Sequence, residues 1–129
     1  MCAVNPSETF GYNVEIWERA KKEAIRVIVF EAKPMAYSDL ARKINSVSFG
    51  PRDRVFHNSL GQISVEEDAA GRGMLSALVV HKDDGRPGQG FFDLAKRLGR
   101  DVTDELRCWN EEVKTVLKHC GNHPFRARI

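Results

Sequence analysis

The chain has 129 residues, of which 42% are hydrophobic and 29% charged, and a formal net charge of +2. That length and composition fit one domain with a real core, and so small a net charge excludes a polycation that holds nucleic acid by overall charge alone. Three widely spaced cysteines, Cys2, Cys108 and Cys120, make no disulfide framework, no secretory signal opens the sequence, and no apolar run is long enough for a bilayer, so a cytoplasmic protein without a membrane segment is expected.

Charge is spread unevenly. Residues 33–62 carry a net +3 and residues 101–118 a net −2. Residues 1–12, polar with Pro6 and Gly11, are expected to form a flexible arm. From Asn13 the pattern turns helical: Ile16, Ala20, Ala24, Val27 and Ile28 fall on one face and Glu15, Arg19, Lys22 and Arg26 largely on the other. Pro34 ends this helix, because the residue before a proline is pushed out of the helical region.

Ser38 is expected to cap a short helix with Leu40, Ala41 and Ile44 on its apolar face. Asn45 to Gly50 predict a turn. A third helix is expected from about Pro51 to Leu60, burying Val55, Phe56 and Leu60 and leaving Arg52, Arg54, His57 and Asn58 outside. Ser64 and Glu67 have capping-box spacing, which predicts another short helix ending at Gly71. Met74 to Val80 is nearly continuously apolar and predicts a strand covered on both faces. Asp83-Asp84-Gly85 makes a turn, and Pro87, Gly88 and Gly90 keep the chain irregular until Phe91. Phe91, Phe92, Ala95 and Leu98 predict a helix closed by Gly99. Thr103 opens the last helix, with Leu106, Trp109, Val113, Val116 and Leu117 as its buried stripe, and residues 119–129 form a tail with Arg126 and Arg128.

The two helices around Asn45–Gly50 have helix-turn-helix order, which would place Arg52, Arg54, His57 and Asn58 against base edges and phosphates, with Lys43, Lys82 and Arg86 on the backbone. The turn Gly85–Gly90 precedes a helix, where free N–H groups favour anions, but it carries neither a Walker A nor a dinucleotide fingerprint. It is therefore taken as a structural turn or a wing. His119, Cys120 and His123, with Cys108 upstream, have the residue types of a zinc site but no second close pair, so no metal is expected. Glu66, Glu67, Asp68, Asp83 and Asp84 with Lys82 have the residue types of a metal-dependent nuclease, but adjacent acids on a helix diverge. His57 and His81 stand alone in the sequence. Ser76, inside an apolar run, has no paired base, so no catalytic residue and no cofactor are expected.

The segments AYSDLARKI, PRDRVFHNSLGQIS and LSALVVHKDDGRPGQGF follow one another. Their order resembles the C-terminal domain of O6-alkylguanine-DNA alkyltransferases and alkyltransferase-like proteins, in which a TYGELA-type helix, an ARAVG-type recognition helix, a PCHRV-type strand and a glycine-rich turn succeed one another. The resemblance covers about Ala36 to Phe91. It places Ser76 where that family has its acceptor cysteine, and Ala77-Leu78 where a His-Arg follows. It maps the family's recognition-helix arginine onto Arg52 or Arg54. Without the thiolate there is no alkyl acceptor, so the resemblance implies the architecture and duplex binding without alkyl transfer. The run Met74–Leu98 also resembles one that recurs in small bacterial proteins.

The fold class expected is α+β, mostly α: a winged-helix-like single domain with a small β component. The expected function is non-catalytic binding of duplex DNA. The alternatives are a protein-interaction module or homodimer, using Trp17, Phe91, Phe92 and Trp109 as interface, and a small hydrolase or nuclease.

Overall fold

The computed structural model describes residues 8–126. Among these, five α-helices surround a two-stranded parallel sheet: α1 (Val14–Glu31), β1 (Met35–Ala36), α2 (Tyr37–Lys43), α3 (Arg54–Ala69), a 3-10 turn (Leu75–Leu78), β2 (Val79–Val80), α4 (Gln89–Arg97) and α5 (Glu105–Cys120). The fold is mostly α with a small β component, as the periodicity predicts. Met35 pairs with Val79 and Ala36 with Val80.

α1 starts where expected because the Asn13 side chain accepts the Glu15 and Ile16 amides, satisfying two N–H groups that have no partner within the helix. It stops at Ala32, which takes a left-handed conformation (φ 49°) just before Pro34. α4 ends as predicted, with Gly99 at φ 92° and the Arg100 amide turned back to the Ala95 carbonyl at 2.9 Å.

Several expectations need correction. The third helix begins at Arg54, not Pro51, and runs without a break to Ala69. The predicted short helix at Ser64 is therefore its second half. Ser64 is no cap: its hydroxyl accepts the Ser76 amide at 3.0 Å and donates to Ser76 Oγ at 2.6 Å. Ser38 is no cap either, since α2 begins at Tyr37. Asp104 rather than Thr103 caps α5, accepting the Arg107 amide at 3.1 Å.

Met74–Val80 is buried as predicted but is a 3-10 turn through Leu78, with only Val79 and Val80 in the sheet. The β component is a parallel pair. The loop after it is closed by His81 N–H to the Arg86 carbonyl (2.8 Å) and Gly85 N–H to the His81 carbonyl (2.9 Å). The buried stripe of α5 is Cys108, Glu112, Val116 and Cys120. Leu106 and Leu117 are 48% and 39% exposed. On α1, Trp17 is fully buried and Ile16 is not.

The core is one cluster. Trp17, Ile28, Phe56, Ile63, Met74 and Leu78 are sealed at its centre, and the 3-10 turn packs against α1, α3 and α5. The described part of the N-terminal arm lies on this core, Phe10 and Tyr12 ringing Trp17 at 5.5 and 5.6 Å. At the other end His123 is buried and Phe125 packs on the cluster. Cys2, Pro6 and Arg128 lie outside the described residues.

Candidate nucleic-acid interface

α3 starts abruptly after a tight turn. The Gly50 amide donates to the Asp53 carboxylate at 2.8 Å, and the Asp53 amide donates to the Gly50 carbonyl at 3.1 Å. This turn holds Arg52 just ahead of the helix and Arg54 at its first position, both exposed. Among the described residues no ion pair engages Arg52, Arg54 or Arg86. Lys43 is drawn to Glu31 at 3.4 Å. Lys82 is 71% exposed and lies 4.0 Å from Asp39.

One turn into α3, His57 and Asn58 face two adjoining hollows. The first, about 380 Å³, lies between α3 and α4. Arg54, His57, Asn58, Leu60, Phe91, Leu94 and Arg97 form its sides, with Tyr37 and Ser76 also lining it. The second, about 500 Å³, is walled by Tyr37, Ser38, Pro51, Arg52, His57, His81, Lys82 and Asp83. Tyr37 and His57 are the wall between them.

Of the residues expected to contact DNA, the fold thus gathers Arg52, His57 and Lys82 at one hollow and Arg54, His57 and Asn58 at the other. Lys43, at the end of α2, and Arg86, in the loop after β2, line neither. Arg52 lies in the turn and not on a recognition helix, because that helix starts two residues later.

Tyr37 is a site residue that sequence reasoning missed, and His81 is one it set aside as standing alone. The Tyr37 ring lies 4.7 Å from the His57 ring and 4.9 Å from the His81 ring. Its hydroxyl accepts the Gly88 amide at 3.1 Å. Burial pushes the phenol up, although the Gly88 hydrogen bond pulls it back, so it stays protonated at neutral pH. His57 Nε2 lies 2.9 Å from the Pro51 carbonyl, which can only accept. The ring therefore carries its proton on Nε2 and leaves Nδ1 for a ligand. The TYGELA-like position of Tyr37 was the only signal in the sequence, and nothing in the sequence singled out His81.

Ser76 is 8% exposed and lines the first hollow. Among the described residues its hydroxyl is hydrogen-bonded to Ser64 alone, a hydroxyl and not a base. The acidic residues do not converge either. Glu66 pairs with Lys21, Glu67 with Arg72 and His123, and Asp68 with Arg100. His123, one candidate zinc ligand, is committed to Glu67 at 2.6 Å. Among the described residues no three His, Cys, Asp or Glu side chains are grouped to hold a metal, and no helix is long and apolar enough to cross a membrane.

No protein-family model matches the chain, and no curated protein or solved structure matches it.

Proposed function

We propose that this protein is a non-catalytic duplex-DNA-binding protein of winged-helix-like build, similar in architecture to the alkyltransferase-like proteins. The observation that carries the proposal is the pair Arg52 and Arg54, exposed at the head of α3 and, among the described residues, without acidic partners. His57 and Asn58 follow one turn on, beside a cleft of about 380 Å³. Guanidinium groups left unpaired at a helix start suit phosphate oxygens and guanine edges. The loop 81–86 brings Lys82 to the hollow that Arg52 also lines and carries Arg86 outside it, and it takes the role of a wing on the backbone. The cleft, apolar at Leu60, Phe91 and Leu94, has room for one base swung out of the stack. The Ser64 partner of Ser76 supports binding without alkyl transfer or hydrolysis, since no base activates the hydroxyl. The free thiols Cys108 and Cys120 accord with a reducing cytoplasm, as in a bacterial cell. The test is a duplex titration with the Arg52→Ala/Arg54→Ala double variant. Unchanged affinity would remove these residues from the interface.

A second reading, a protein-interaction module, draws on exposed apolar residues. Of the residues expected at such an interface, Trp17 and Phe92 are buried, Phe91 meets only the first cleft, and Trp109 is half-buried with its Nε1 donating to the Ala77 carbonyl. The exposed large apolar residues include Phe10, Tyr12, Val14, Ile16, Phe30, Leu106 and Leu117. Light scattering after size exclusion separates the readings: a stable dimer that leaves DNA mobility unchanged favours the second.

A further inference from the structure

The second hollow has a composition unlike the first. Where the first offers apolar walls, this one brings four nitrogen-bearing side chains together from three parts of the chain: Arg52 from the turn before α3, His57 from α3, and His81 and Lys82 from the loop after β2. Ser38 adds a hydroxyl from α2. The loop is held in place from behind, because His81 is anchored through its backbone to Arg86 and Gly85 and its ring packs on Tyr37. Gly88 allows this approach, since a Cβ there would sit 3.1 Å from His81 Nε2.

We infer that this hollow is a subsite for a phosphate monoester, carried either on the 5′ end of a nucleic-acid strand or on a free nucleotide. Arg52 and Lys82 supply two fixed positive charges. Asp83 lines the same hollow, and Asp39 lies 4.0 Å from Lys82; both oppose an anion. A phosphodiester carries no proton on its phosphate oxygens, whereas a monoester, at between about −1.5 and −2 near neutral pH, keeps a P–OH on part of its population. His57 Nε2–H is held by the Pro51 carbonyl at 2.9 Å, which leaves Nδ1 as an acceptor for that P–OH. Tyr37, neutral, separates the phosphate from the apolar cleft.

The hollow itself does not depend on the duplex reading. Only the source of the phosphate rests on it, and the experiment keeps the two apart. Histidine ring resonances of the full chain are followed by NMR at constant ionic strength. The titrants are inorganic phosphate, adenosine 5′-monophosphate, and two duplexes of one sequence that bear 5′-phosphate or 5′-hydroxyl ends. The expected result is saturable movement of the His57 and His81 rings with inorganic phosphate. Arg52→Ala or Lys82→Ala should weaken it about tenfold, the size of a lost charge-assisted contact. Arg54→Ala, which lines only the other cleft, should leave it unchanged. Tighter binding of the 5′-phosphorylated duplex assigns the monoester to a strand end. Equal binding of both duplexes, with adenosine monophosphate bound, assigns it to a free nucleotide. Phosphate binding with neither duplex bound supports the hollow and overturns the duplex reading. No saturable movement of either ring into the tens of millimolar, or equal loss in the Arg54→Ala variant, overturns the inference. All three variants alter exposed side chains, and a circular dichroism spectrum matching the parent confirms that each is folded.

Discussion

The Tyr37 hydroxyl accepts the Gly88 amide at 3.1 Å, joining residues 51 positions apart. This contact ties the start of α2 to the residue that caps α4, and so fixes the wall shared by the two hollows. Tyr37→Phe keeps the ring but leaves the Gly88 N–H, partly buried, without its acceptor. The expected cost is about 1–2 kcal/mol in a denaturant melt. A variant as stable as the parent would mean the bond does not hold the wall.

Gly88→Ala tests the same wall from the other side. Gly88 has φ −71°, so alanine brings no backbone strain there. Its Cβ would meet His81 Nε2 at 3.1 Å and the Tyr37 hydroxyl at 3.5 Å. An exposed imidazole can swing away, so stability should fall by less than about 1 kcal/mol. The His81 ring resonances should nonetheless move while those of His123 stay. Unmoved His81 signals would contradict the packing described.

Glu67 ties the C-terminal segment to α3. Its carboxylate accepts Arg72 Nε and Nη2 at 3.0 and 2.8 Å and His123 Nε2 at 2.6 Å. The Phe125 amide donates to His123 Nδ1, so Nε2 carries the proton. Burial pushes the Glu67 carboxyl up, but the hydrogen bonds from Arg72 and His123 and the Arg72 charge outweigh it and hold the group below its ordinary value. A depressed folded-state value contributes stability that is complete above the unfolded value, about 4.3, and is lost as pH falls through the folded one. Glu67→Gln should cost about 2 kcal/mol at pH 7 and flatten the loss of stability below about pH 4.3. An acid limb as steep as the parent's would place that loss on other carboxylates.

Arg100 holds α5 to the end of α3. It donates to Glu112 Oε1 and Oε2, each at 3.1 Å, and to Asp68. The hydrogen bond it gives to Asp68, opposed by burial and joined by the bonds to Glu112, pushes the guanidinium further up. Glu112 is buried and also accepts the Met74 amide at 2.8 Å. Arg100→Ala strands that carboxylate among apolar neighbours, and a loss of about 3 kcal/mol is expected by chemical denaturation. A loss below about 1 kcal/mol would show that Glu112 is satisfied by Met74 alone.

Where an element is set by its own residues, the sequence was a sound guide. α1 was legible because Asn13 and Pro34 bracket an amphipathic period, and α4 because Gly99 takes positive φ. α3 was split in two because Ser64 looks like a cap locally, whereas its hydroxyl is used by Ser76 twelve residues on. Met74–Val80 shows the limit of periodicity: a run buried on all sides carries no period, so a 3-10 turn and a strand look alike. On α5 the expected stripe is right at Trp109, Val113 and Val116, which meet the core, and wrong at the exposed Leu106 and Leu117. The buried stripe also includes Glu112, whose charge is met among the described residues by Arg100 and the Met74 amide, and that charge made it read as a surface residue. Arg54, His57 and Asn58 could be found because they follow one another on a helix. The meeting of His57 and His81 across Tyr37 depends on β1 pairing with β2 and had no local signal.

The proposed duplex-DNA interface is the Arg52–Asn58 segment. Its most direct test is a duplex titration at about 50 and about 200 mM salt, since each phosphate contact adds about −0.9 to the slope of log affinity against log salt. Saturable binding that weakens steeply with salt is expected, with a slope shallower by about two in the Arg52→Ala/Arg54→Ala variant. Absence of duplex binding at low salt, or an unchanged slope in the double variant, would contradict it.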